Sequence, residues 1–169
     1  MNMKIFLVIW VAVVGSLLTS CQSATVKAPG LTPLVARFYL ETLPGETSVV
    51  ASLPQSGVGL NVAPKPVFSE YDIGSAEVAR VELGLCVLVQ LTPAATRDLY
   101  RLSVPAQGRR LVLALDGVFL GVHRIDHAMA DGLVPVFLEI PDERLRGFVA
   151  RLNFTSTEMA RLAKKTANK

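Results

Sequence analysis

Apolar and polar positions alternate with a period of two through much of the chain, in short runs separated by glycine and proline. Val35 to Glu41 places Ala36, Phe38 and Leu40 on one face and predicts a strand, which Leu43-Pro44-Gly45-Glu46 ends. Two shorter runs, Ser48 to Leu53 and Val58 to Val62, flank Pro54-Gln55-Ser56-Gly57 and predict a hairpin. Ala63-Pro64-Lys65-Pro66 lacks the donors a ladder needs, so it reads as an extended connector. The stretch from Ser75 to Leu91 admits one helix or two strands. Ala76 and Val78 alternate with charged neighbours, and Val87-Leu88-Val89 is too β-branched and apolar for a surface helix. Strands over Ser75 to Val81 and Gly84 to Leu91 follow.

The period then changes. Thr92-Pro93 combines an N-cap residue with proline at the first helical position, Ala95, Leu99 and Leu102 line one face, and Pro105-Ala106-Gln107-Gly108 stops the helix. Arg110 to Leu115 and Val118 to Ile125 enclose Asp116-Gly117, a two-residue hairpin signal. After a polar turn from Asp126 to Gly132, Leu133 to Ile140 predicts a strand whose Pro135 suggests an edge or a bulge. Pro141-Asp142-Glu143 opens a helix with Leu145, Phe148, Val149 and Leu152 as its buried stripe. Thr155-x-x-Glu158 has the form of a capping box and predicts a restart before Met159, Leu162 and Ala163. The expected fold is α+β: a largely antiparallel sheet with two or three helices packed on one face.

The one longer apolar run, Ile5 to Leu18, follows Lys4 and ends at Leu18-Thr19-Ser20-Cys21, which resembles a bacterial lipobox. That resemblance implies a lipoprotein signal peptide over 1–20, lipidation of Cys21, and a lipidated tether over 21–33 leading to a single domain over 34–169. An ordinary signal peptide with an incidental cysteine, or an uncleaved anchor, are the alternatives. Acyl chains hold a protein to a bilayer by about 0.8 kcal/mol per buried methylene. Gln22 stands where aspartate would favour inner-membrane retention. The expected location is therefore the cell envelope, facing the periplasm, with the outer membrane favoured over the inner.

Composition narrows the chemistry. The net charge is only +3, and Lys4 contributes one of those charges, so bulk charge gives nucleic-acid binding no support. There are two cysteines. With Cys21 lipidated, Cys86 has no partner in the chain and sits in the apolar run Leu83 to Val89 as a buried, inert thiol. His123 and His127, with Asp126 and Asp131, form the one cluster that invites a metal. Four residues along a strand separate side chains by roughly 13 Å, and a turn after Ile125 would bring them closer; a solvated turn is the expectation and no metal is assigned. No Gly-x-Ser-x-Gly elbow, phosphate loop or dinucleotide fingerprint occurs, and no cofactor, small-molecule substrate or catalytic residue is assigned. Arg97 and Arg101 on the helix, with Arg109 and Arg110 at the following turn, are the candidate binding residues. A sheet edge is the other candidate, because an exposed strand can pair with extended polypeptide through main-chain groups.

Residues 68–153 resemble the head of the first large periplasmic domain of SecD-type protein-export subunits. The resemblance is carried by Asp72-Ile73, by Val89-Gln90-Leu91-Thr92-Pro93-Ala94-Ala95 and by Gly108-Arg109-Arg110-Leu111-Val112-Leu113-Ala114-Leu115-Asp116-Gly117, then Gly121, Ile125 and Asp131-Gly132. It implies a non-enzymatic domain that handles or senses polypeptide on the far side of the inner membrane. No second apolar stretch long enough to span a bilayer follows the first, so the proton-coupled export step of those subunits is not expected here. The function expected is a membrane-anchored periplasmic module binding extended polypeptide or an envelope protein. A structural subunit of an envelope assembly, or less favourably a hydrolase of unknown type, are the alternatives.

Overall fold

Alternation decides most of the fold, and the computed structural model, which describes residues 31–167, places eight strands and two α-helices. The apolar run, Cys21 and most of the tether lie outside the described residues. The order is β1 (Ala36–Leu40), β2 (Val49–Ser52), β3 (Gly59–Val62), β4 (Ile73–Val81), β5 (Gly84–Leu91), α1 (Pro93–Ser103), β6 (Arg110–Leu115), β7 (Val118–Arg124), β8 (Leu133–Leu138) and α2 (Asp142–Ala167). Six strands form one antiparallel sheet in the order β1-β6-β7-β8-β5-β4, and β2 and β3 form a separate hairpin. Among the described residues the fold is α+β, with no closed barrel.

One face of the sheet carries the main core. Ala36 and Phe38, Leu111, Leu113 and Leu115, Val87, Val89 and Leu91, and Val134 and Val136 meet Ala95 and Leu99 of α1 and Leu145 and Leu152 of α2. Both helices therefore cover the same face, as the periodicity predicts. Thr92 caps α1 by accepting from Ala95 N at 3.4 Å, with Pro93 at the first position. Asp116 (φ +49) and Gly117 (φ +83) make the tight turn between β6 and β7, where both central residues are left-handed. On the opposite face, Ala51, Leu60 and Val62 of the hairpin pack on Val112, with Tyr39, Phe119 and Val122 around them.

Two expectations are corrected. The helix does not restart at Thr155: α2 runs unbroken from Asp142 to Ala167. Thr155 is buried inside it, where its hydroxyl donates to Arg151 O at 2.9 Å and accepts from Leu34 N at 2.7 Å. The hydroxyl that would cap a helix instead satisfies the chain entering the sheet, and Glu158 pairs with Arg161 at 3.9 Å. Nor is β8 an edge: it lies between β7 and β5. Leu91 N donates to Gly132 O, so the hydrogen-bonded pairs of β5 and β8 are Val89/Val134 and Val87/Val136, and Pro135 turns its nitrogen toward β7. On that side Glu139 N donates to Leu120 O, which makes Arg124/Pro135 a position where the ladder needs an N–H. Proline has none, and the β7–β8 ladder stops at Val122/Phe137.

Candidate functional site

The hairpin covers the sheet only over β1, β6 and β7. Over β8, β5 and β4 the same face carries Leu133, Pro135 and Phe137, then Leu88 and Gln90, then Glu77 and Ala79, all half-buried or exposed. Cys86 lies among them, between Ala79 and Phe137 in register, and is fully buried; burial pushes its thiol pKa up, as suits an inert group. Where β7 and β8 part, a cavity of about 500 Å³ opens. Val81, Leu83, Pro135 and Phe137 give it apolar walls, and His123, Arg124, Asp126, His127 and Glu82 a polar rim. Its size suits one large side chain or small ligand.

The turn after Ile125 brings His123, Asp126 and His127 to this one cavity, while Asp131 is not on its wall. Among the described residues no group of three His, Cys, Asp or Glu side chains could hold a metal ion. Asp126 is instead 3.1 Å from Arg124. The His123 pKa is lowered: burial is the main cause, the Pro135 carbonyl and Asp126 act against it, and His127 adds to it.

The four arginines do not form one patch. Arg97 and Arg101 line a shallow hollow of about 400 Å³ with Thr96, Tyr100 and Ala130, and Arg101 pairs with Asp98 at 3.3 Å. Arg109 and Arg110 are tied to the end of β1. Arg110 meets Glu41 at 2.9 Å, and Arg109 donates to Glu41 O at 2.6 Å and pairs with Glu46 at 3.3 Å. Their visible work is to fasten β6 to the segment after β1.

The two edges of the sheet differ. Along β1, Phe38 N donates to Phe68 O, Phe38 O accepts from Val67 N, and Leu40 O accepts from Ala63 N, so the connector read from Pro64 and Pro66 covers that edge. Along β4 the cover comes from side chains of α2. Asn153 Oδ1 accepts from Ala76 N at 2.7 Å and its Nδ2 donates to Ala76 O at 2.8 Å, a two-bond clasp that imitates a neighbouring strand. Ser156 Oγ lies 2.8 Å from Ile73 O and 2.6 Å from Gly74 O, where the strand bulges. Neither residue is singled out by sequence reasoning. The available signal was Asn153 to Thr157 itself, a run of weak helix formers in the middle of a helix.

Two further side chains hold the architecture. Glu139 accepts from Gln55 N at 2.8 Å and Ser56 N at 3.0 Å, tying the hairpin turn to the end of β8. Arg151 reaches Thr32 O, Pro33 O and, at 3.0 Å, Asp116 Oδ2.

No family model matches the sequence, and no curated protein matches it. The fold is similar to solved structures of SecDF. One, described as a membrane component that enhances protein export, aligns with a TM-score of 0.55 at 15% identity, covering 73% of this chain and 63% of that one. Another, SecDF in its super-membrane-facing form, aligns with a TM-score of 0.55 at 16% identity, covering 70% of this chain and 18% of that one. The chain thus spans less than two thirds of either. At this identity the likeness is one of fold, and at that level it agrees with the resemblance carried by the stretches around Thr92-Pro93 and Asp116-Gly117. Among the described residues no helix is long and apolar enough to cross a membrane.

Proposed function

We propose that this protein is a non-enzymatic polypeptide-binding module of the bacterial cell envelope, anchored through lipid on Cys21, facing the periplasm and acting beside protein export. The observation that carries the reading is the SecDF-like sheet left uncovered over β8, β5 and β4, in a chain whose start has the pattern of a lipoprotein signal. Half-buried Leu88, Pro135 and Phe137 offer a broad apolar face, and the open cavity beside Pro135 and Phe137 has room for one large side chain, which together suit an unfolded chain. The outer membrane is the favoured anchor site, from Gln22.

The test uses the full-length lipidated protein in detergent and a reduced, alkylated polypeptide that cannot fold, compared with the native form of the same polypeptide. Binding of the unfolded form alone is expected; equal binding of both, or of neither, would remove the basis of the reading. For the anchor, cells fed a labelled fatty acid should label the protein, and Cys21→Ala should abolish the label and leave the precursor uncleaved.

A further inference from the structure

Antiparallel pairing fixes where each main-chain group of β4 points. Val89 bonds to β8, so its opposite number Ala76 turns its N–H and C=O outward, where Asn153 meets them. The same alternation turns Val78 and Arg80, opposite Val87 and Leu85, outward as well. Among the described residues, no hydrogen bond reaches either of them from that side. The clasps run from Asn153 at Ala76 to Ser156 at Ile73 and Gly74, so Val78 lies on the side of the turns of α2 that precede Asn153, from which no hydrogen bond to β4 is made among the described residues, and Arg80 and Val81 are exposed. The edge is therefore divided: Ile73 to Ala76 closed by side chains, Val78 to Val81 open.

We propose that Val78 to Val81 is a docking edge onto which an extended polypeptide adds as a strand, with Asn153 and Ser156 marking the end of its register. The proposal rests on the polypeptide-binding reading above and specifies how that binding is made. An unpaired strand edge offers donors and acceptors at the repeat of another main chain, so its fitting occupant is a strand. The pair at Val78 and the pair at Arg80 give four main-chain hydrogen bonds, enough for a segment of about four residues at roughly 3.3 Å each. Neighbouring side chains choose the segment only loosely. Val78 faces the helical core side, and Ala79 and Val81 continue the uncovered face. Glu77, Arg80 and Glu82 give no dominant charge. An uncharged, β-branched or apolar stretch fits, of the kind an unfolded protein exposes and a folded one hides.

The test is amide hydrogen exchange on the full-length lipidated protein, with and without a short fluorescent peptide of alternating valine and threonine. Bound peptide should slow exchange at Val78 and Arg80 several-fold and leave Ala76, already held by Asn153, unchanged. A peptide N-methylated at alternate residues on its pairing side should bind at least tenfold more weakly than one methylated on the opposite side. Val78→Pro, checked for folding by its amide spectrum, should lose binding to the same degree. Binding with protection only at Leu133 to Phe137, or equal binding by both methylated peptides, overturns the edge while leaving polypeptide binding intact. Val78 and Arg80 amides already protected without peptide would show another segment of this chain, or a second copy, on the edge, and would also overturn it. Binding of neither this peptide nor the unfolded polypeptide overturns the underlying reading itself.

Discussion

Replacing Asn153 with alanine should weaken the domain by an amount set by two hydrogen bonds. In the native protein its amide gives one and takes one from Ala76, at 2.8 and 2.7 Å, in a half-buried position. A protein hydrogen bond contributes about 0.5–1.5 kcal/mol net, so the pair is worth about 1–3 kcal/mol. Ala76 is on an edge, and water can reach its N–H and C=O once the amide is gone, which moves the expectation to about 1–2 kcal/mol. For a domain of this size that lowers the melting midpoint by roughly 3–8 °C. Asn153→Asp separates the two bonds: its carboxylate still accepts from Ala76 N but faces the Ala76 carbonyl without a proton to give, so it should be no better than alanine at neutral pH. Urea unfolding measures the loss, and exchange of the Ala76 amide locates it. An alanine variant with an unchanged midpoint and an Ala76 amide as slow as the native one would refute the clasp and, with it, the division of the β4 edge.

Other outcomes follow from the same geometry. A Cβ at Gly121 would lie 2.5 Å from Leu138 Cδ2, 2.7 Å from Val136 Cγ1 and 2.8 Å from Phe137 O, the last of them backbone, so Gly121→Ala should cost about 1–3 kcal/mol by overpacking, seen as a shifted urea midpoint. His123 has a folded pKa below its ordinary 6.5, so the unfolded chain takes up the proton first as pH falls. The stability it contributes is present above about 6.5 and lost as pH falls through the folded pKa; native protein should lose more stability than His123→Gln between pH 7.5 and 5, and parallel losses would refute this. For Glu139, burial alone would raise the pKa, but the Ser56 hydroxyl, the Ser56 amide and the Gln55 amide outweigh it and hold the carboxyl below its ordinary 4.5. Its contribution is present above that value and lost as pH falls through the lowered one; Glu139→Gln should flatten the acid limb of the stability profile, measured by thermal melts from pH 6 to 3.

How much of this was legible in the sequence depended on whether a residue serves its own element or a distant one. Thr92-Pro93 and Asp116-Gly117 act within a few residues of themselves, and both sit where the pattern put them. The hairpin around Pro54 to Gly57 did as well, because turn chemistry is local. Thr155 and Glu158 had the spacing of a cap, but the hydroxyl's partner is Leu34, 121 residues away, and no local pattern reveals it. Pro135 suggests an edge or a bulge, yet β8 lies inside the sheet and the proline instead ends the β7–β8 ladder, because strand order is not visible in the sequence. The arginines looked alike in sequence. The positions of Glu41 and Glu46 separate Arg109 and Arg110, held at the end of β1, from Arg97 and Arg101 on the helix surface. For Asn153 and Ser156 the sequence carries only poor helix propensity, a weak signal until the main-chain groups they serve are seen.

The segment of α2 from Arg151 to Ser156 joins two mechanical tasks. Arg151 and Thr155 grip the chain at Thr32, Pro33 and Leu34, while Asn153 and Ser156, interleaved with them, grip β4. Tension on the chain at Thr32 is therefore borne first by the helix turns that also carry the edge strand, and a pull there would load β4 across the same few bonds. Under the anchoring proposed through Cys21, the segment before Thr32 would be a lever as well as a leash.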